Sequence, residues 1–176
     1  MSDAVRILGI DPGSVTTGWG VIDSDGRSSR HIAHGTIAAG RGALPERLGV
    51  IQQGVAAAID TYGPLEMGIE EVFVARNAMS ALKLGQARGA AICAGVGAGL
   101  SVAEYPARLV KQTLVGVGGA EKGQVQHMVN VLLGLQTPLA TDASDALGIA
   151  LCHAHARTRP APVLAAGRRR KSVRWR

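Results

Sequence analysis

Apolar residues run along this chain in two rhythms. From Val5 to Ile10 nearly every position is apolar and several are β-branched, the pattern of a strand covered on both faces. The run stops at Asp11. Pro12 biases Asp11 toward extended backbone and Gly13 supplies a turn, so residues 16–23 read as a returning strand. Glycines within that strand mark places where something approaches the backbone closely. Ser24-Asp25-Gly26-Arg27 is a turn, and residues 31–38 offer a third strand of weaker pattern. The rhythm then changes. Leu44-Pro45-Glu46 opens a helix in which Leu48, Ile51, Val55, Ala58, Ile59 and Tyr62 recur at helical spacing, and Gly63-Pro64 ends it.

The second half alternates. Residues 67–72 predict a fourth strand, apolar apart from Glu70 and Glu71, with a loop over 73–77. An Ala-rich helix follows over 78–95, a fifth strand over 100–105, and a helix from Pro106 through Leu114. The glycines at 116, 118 and 119 break that helix, and two more helices span 121–133 and 141–156. Three consecutive short strands form an antiparallel meander. The order that follows, helix, strand, helix, strand, helix, completes an α/β plan of the ribonuclease-H-like type: a five-stranded mixed sheet with helices on both faces. A dinucleotide-binding plan would begin with βαβ, and the Gly-rich stretches at 95–99 and 116–119 both miss G-x-G-x-x-G. Residues 1–156 read as one domain and 157–176 as a basic, disordered tail.

Composition narrows the picture. An apolar content of 47% with only five aromatics and 24 glycines implies a closely packed aliphatic core. No run of apolar residues reaches the length of a membrane span and no signal peptide is present. Cys93 and Cys152 lack a C-x-x-C partner and read as buried, reduced thiols of a cytoplasmic protein. The net charge of +6 is unevenly spread. Residues 168–176 hold six of the 19 basic residues, which leaves 13 basic against 13 acidic in the remainder. Affinity of the body for nucleic acid would therefore depend on where its charges sit. The tail would add either a solvated end or a non-specific phosphate contact.

The candidate chemistry lies in carboxylates within apolar elements. Asp11 ends the first strand; taken alone it is either a turn-capping residue or a ligand for metal or phosphate. Glu70 and Glu71 point to opposite faces of the fourth strand because side chains alternate. Asp142 and Asp145, three apart in the first turn of the last helix, share one face, where they could equally serve the helix dipole. If the first and fourth strands are neighbours, these groups converge. Four carboxylates carry a charge that two Mg²⁺ ions would neutralise; without metal, repulsion would force some to keep a proton. Hard oxygen donors suit Mg²⁺ or Mn²⁺ and not zinc. Two such ions are the device for in-line phosphodiester hydrolysis, one activating water and the other stabilising the leaving oxygen.

At these residues the chain resembles a known family. Leu8-Gly9-Ile10-Asp11-Pro12-Gly13-Ser14, Ile69-Glu70-Glu71-Val72-Phe73, the stretch from Ser80 to Gly89, Val110-Lys111-Gln112-Thr113, Ala120-Glu121-Lys122 through Met128, and Asp142-Ala143-Ser144-Asp145-Ala146-Leu147 are similar to RuvC, the bacterial Holliday-junction resolvases. The resemblance covers roughly residues 5–156 in order. It implies a homodimeric, Mg²⁺-dependent crossover junction endodeoxyribonuclease, with two ions per subunit and Mn²⁺ able to substitute. Such an enzyme resolves four-way junctions in recombination and repair by paired nicks that leave 5′-phosphate and 3′-hydroxyl ends, beside a RuvA–RuvB branch-migration complex. The catalytic acids carry over to Asp11, Glu70, Asp142 and Asp145; Glu71 stands where the family often has Gln, and Trp19 replaces a more usual Tyr. Lys111 and Lys122 match DNA-contacting lysines, and Phe73 matches an aromatic that stacks on an unpaired base. Arg76, Lys83 and Arg88 are further phosphate candidates without a motif behind them. His127, His153 and His155 read as structural.

Small residues recur every four positions on the helix from Ala78, at Ala81, Gly85, Gly89 and Cys93. The row reads as close approach either to the chain's own sheet or to a second copy; the resemblance favours the second copy. Other readings separate by substrate and length. A ribosomal-RNA-processing nuclease of the same fold would not need Phe73 or the long small-residue helix. An actin-like ATPase or sugar kinase would need a second phosphate hairpin and about twice the length. A non-catalytic junction-binding protein would not cleave.

Overall fold

The computed structural model describes residues 4–72, 77–137 and 139–158. Five strands, β1 (Val5–Asp11), β2 (Thr16–Ser24), β3 (Ser29–Ala38), β4 (Glu66–Glu71) and β5 (Ser101–Pro106), form one sheet in the order β3-β2-β1-β4-β5. β1, β2 and β3 pair antiparallel, whereas β4 runs parallel to β1 and to β5. The mixed five-stranded sheet expected from the sequence is therefore present, with β1 at its centre. The element ends differ from the sequence reading by one to two residues: β3 begins at Ser29, the Ala-rich helix runs on to Gly97, and Pro106 closes β5 as well as capping the next helix.

Helices α1 (Leu44–Tyr62) and α2 (Ala78–Gly97) cover one face; α3 (Ala107–Val115), α4 (Lys122–Leu133) and α5 (Thr141–Thr158) cover the other. Local chemistry sets their ends. Pro45 stands at the start of α1 and Gly63 ends it at φ 58°. The Asn77 side chain accepts from the N–H groups of Met79 and Ser80 at the head of α2. Glu121 and Gln124 form a reciprocal capping box on α4. Alternation along β1 divides its apolar run between two cores: Leu8 and Ile10 pack toward α1 and α2, and Ile7 packs toward α5.

α5 lies unusually close to the sheet. A Cβ on Gly9 would meet Ala146 O and come within 2.7 Å of Ala150 N. One on Gly18 would meet Asp142 O, and one on Gly20 would come within 2.6 Å of the Leu147 side chain. Three glycines on β1 and β2 thus let the first two turns of α5 rest on bare backbone. Its other end is tied down by polar contacts. Buried His153 meets Glu66 Oε2 at 2.6 Å through Nε2 and the Tyr105 hydroxyl at 2.8 Å through Nδ1, while Arg157 Nε lies 2.7 Å from Glu66. His153 is structural, as the sequence suggested. Cys152 is buried, but Cys93 is exposed, because α2 turns Ala87, Ala91, Ala94 and Gly95 to the core and Cys93 outward. Among the described residues no helix is long and apolar enough to cross a membrane.

Candidate active site

Asp11 sits where β1 ends, and parallel pairing fixes its neighbour. Ile10 is opposite Ile69, so one further step sets Asp11 beside Glu70. Met67 and Ile69 pack toward α1 and α2, which leaves Glu70 on the α5 face and Glu71 on the reverse. Gly18 is opposite Asp11 across β2, and its missing side chain admits the head of α5 with Asp142 and Asp145. Buried Thr17 stabilises the turn after Asp11: its hydroxyl donates to Gly13 O at 2.9 Å and accepts from Gly13 N–H at 3.3 Å. Asp11, Glu70 and Asp145 line one cleft of about 320 Å³ together with Lys111 and Lys122. Asp142 is not among its lining residues but is close enough to act on Asp11 electrostatically.

Burial is the main reason that the Asp11 carboxyl is pushed up to about 8; repulsion from Glu70, Asp145 and Asp142 adds to it, and Lys122 works against it. Glu70 is raised by burial and then by Asp145, with Lys122 and Lys111 opposing. Lys122 Nζ lies 2.7 Å from Asp145 Oδ2, a pair that raises the lysine. As the side chains stand, no group of three or more His, Cys, Asp or Glu among the described residues forms a ready metal cage. Lys122 supplies the positive charge at Asp145 instead. The donor set nevertheless suits a hard divalent cation: it is all carboxylate, and it holds more negative charge than two lysines offset.

Of the remaining site candidates, Lys83 is exposed on α2. Arg88 is engaged within the protein, donating from Nε to Glu70 O at 3.0 Å and pairing with Glu104, so it anchors the end of β4. Phe73 and Arg76 lie outside the described residues. The sequence reading missed Thr17 and the glycines' role in seating α5. For Thr17 the one available signal was a small polar residue at the start of a glycine-containing strand.

The family profile described as Crossover junction endodeoxyribonuclease RuvC matches residues 7–153. A Pseudomonas fluorescens protein of that name is 60% identical over 152 residues, covering 86% of this chain and 87% of its own. One from Stutzerimonas stutzeri is 57% identical over 170 residues, covering 97% and 98%. Among solved structures, T. thermophilus RuvC in complex with a Holliday junction substrate aligns with a TM-score of 0.82 at 33% identity, over 87% of this chain and 94% of the other.

Proposed function

The chain belongs to the RuvC family of crossover junction endodeoxyribonucleases, and on that premise we propose that it resolves four-way DNA junctions by metal-dependent hydrolysis in the carboxylate cleft. The observation that carries this is the crowding of Asp11, Glu70 and Asp145 around one cleft, with the Asp11 carboxyl pushed up to about 8. Such a site is completed by cations. Asp11, Glu70, Asp142 and Asp145 would hold two Mg²⁺ ions, with Mn²⁺ as a substitute. When bound, the pair supplies an activated water and charge stabilisation at the leaving oxygen, giving 5′-phosphate and 3′-hydroxyl ends.

The protein's own groups do the rest. Asp11 would release its proton to solvent when cations occupy the cleft. Lys122, freed from Asp145 once a cation takes that carboxylate, would join Lys111 in the cleft as a contact for the scissile phosphate. Arg88 keeps β4 in place through the Glu70 carbonyl. Phe73, just past Glu71, stacks on a base at the junction centre, and Lys83 and Arg76 extend the phosphate track. Two matched nicks need two sites, so the working unit is a symmetric dimer. The α2 face supports it: Cβ atoms on Gly85 or Gly89 would meet nothing within 4 Å, and Leu82, one turn before Gly85, is 61% exposed. The role is in cytoplasmic recombination and repair, following a RuvA–RuvB branch-migration motor. Labelled four-way junctions, incubated with Mg²⁺ beside duplex and RNA–DNA hybrid, test the proposal. Paired nicks restricted to the junction are expected; equal cleavage of duplex would overturn it.

A further inference from the structure

β3 forms an open edge of the sheet. In a regular strand, residues 31 and 34 face opposite sides. Pairing with β2 breaks that rule once: His31 is opposite Ile22 and Ala33 is opposite Val21, which leaves Ile32 as the extra residue of a β-bulge. The change of phase puts His34, opposite Gly20, on the same face as His31. The two rings meet there. Nε2 of His31 lies 2.8 Å from Nδ1 of His34, with ring centroids 5.0 Å apart and planes inclined by 49°. Both residues are half-buried on the sheet face that Gly20 presents to α5, which orders the rings without sealing them from solvent.

We infer that His31 and His34 form a two-imidazole chelate for a divalent transition ion of the copper or nickel type, separate from the carboxylate cleft. Imidazole nitrogen suits these ions and leaves Mg²⁺ to oxygen donors. The spacing is compatible as well. Two nitrogens 2.8 Å apart, each about 2.0 Å from one ion, subtend about 90°. That is the cis angle of a square-planar or octahedral shell, and it is narrower than a tetrahedral zinc site requires. Burial, with His34 beside it, holds His31 below its ordinary value, so its ring keeps a free lone pair at neutral pH. Without metal, one ring donates to the other. On binding, the donor ring would pass that proton through solvent to its own outer nitrogen, leaving both facing nitrogens free to hold the ion, with water in the remaining positions. No net proton is released. The site lies two strands away from Asp11, since β2 separates β3 from β1.

The alternative is a hydrogen-bonded pair that only fastens the bulge, and copper separates the two. The full chain, held in excess Mg²⁺ to occupy the carboxylates, is titrated with Cu²⁺ and followed by calorimetry and electron paramagnetic resonance. One equivalent coupled to two nitrogens is expected. His31→Gln and His34→Gln should each weaken that equivalent at least about ten-fold, the loss of one of two ligands, while cleavage in Mg²⁺ stays unchanged. Equal copper uptake by wild type and His34→Gln would overturn the site. The wild type alone gives a second measurement that no folding defect can obscure. Substoichiometric Cu²⁺ should broaden the ring signals of His31 and His34 before those of His127, His153 and His155. Broadening of any other histidine first would sink the inference.

Discussion

Asp11 is the residue on which stability and activity oppose each other. Its carboxyl rises from an ordinary 3.8 to about 8 on folding. The folded protein therefore holds a proton between those values that the unfolded chain has released. Stability from this source is complete below about 4 and is lost as pH rises through about 8. One pKa unit is about 1.4 kcal/mol, so the effect is on the order of a few kcal/mol. In chelator, the melting temperature should fall across this window, and Asp11→Asn should flatten the fall. The same substitution should abolish cleavage while junction binding persists, as should Glu70→Gln, Asp142→Asn and Asp145→Asn. Glu71→Gln, on the reverse face, should cleave at a near-normal rate; a dead Glu71→Gln would reverse the face assignment. Much of this was legible in the residues: strand alternation separates Glu70 from Glu71, and the i, i+3 spacing pairs Asp142 with Asp145. Pairing of Lys122 with Asp145 was not, because it depends on where α4 begins relative to α5.

Glycines decide the outcome at the scale of elements. Gly18→Ala places a methyl against Asp142 O and within 3.1 Å of Ala143 N. Overpacking of this kind costs roughly 1–3 kcal/mol, but α5 moves, so cleavage should fall far more than melting temperature. A variant that melts early yet cleaves normally at low temperature would separate the helix's seat from the site. On α2 the contrast is clear, since Gly85 and Gly89 are open and Gly95 is pressed against Met67. Gly85→Leu should leave the fold intact and give monomers in sedimentation, nicking without resolving. A Gly85→Leu dimer that still resolves would put the interface elsewhere. β-branched runs and Pro/Gly punctuation revealed the strands and helices to within a residue or two. The bulge at Ile32 escaped, because a single slipped residue leaves no trace in composition.

For the whole molecule, charge distribution sets how DNA is met. Apart from residues 168–176, basic and acidic residues balance at 13 each. Those nine residues lie outside the described structure, yet their charge alone predicts an effect. Deleting them should weaken binding to junction and duplex alike. The slope of log affinity against log salt should flatten by about 0.9 for each phosphate that is no longer neutralised. An unchanged slope in a salt titration would make the tail a bystander. Strand β4 carries a smaller version of the same imbalance. Its α5 face bears Glu66 at one end, met by Arg157 and His153, and Glu70 at the other, among Asp11 and Asp145. The sheet is thus polarised along its length, like a rod with one tip earthed. On the proposed mechanism an arriving polyanion would be repelled from the live tip until cations discharge it, so one strand would set an order of events: cations first, scissile phosphate second.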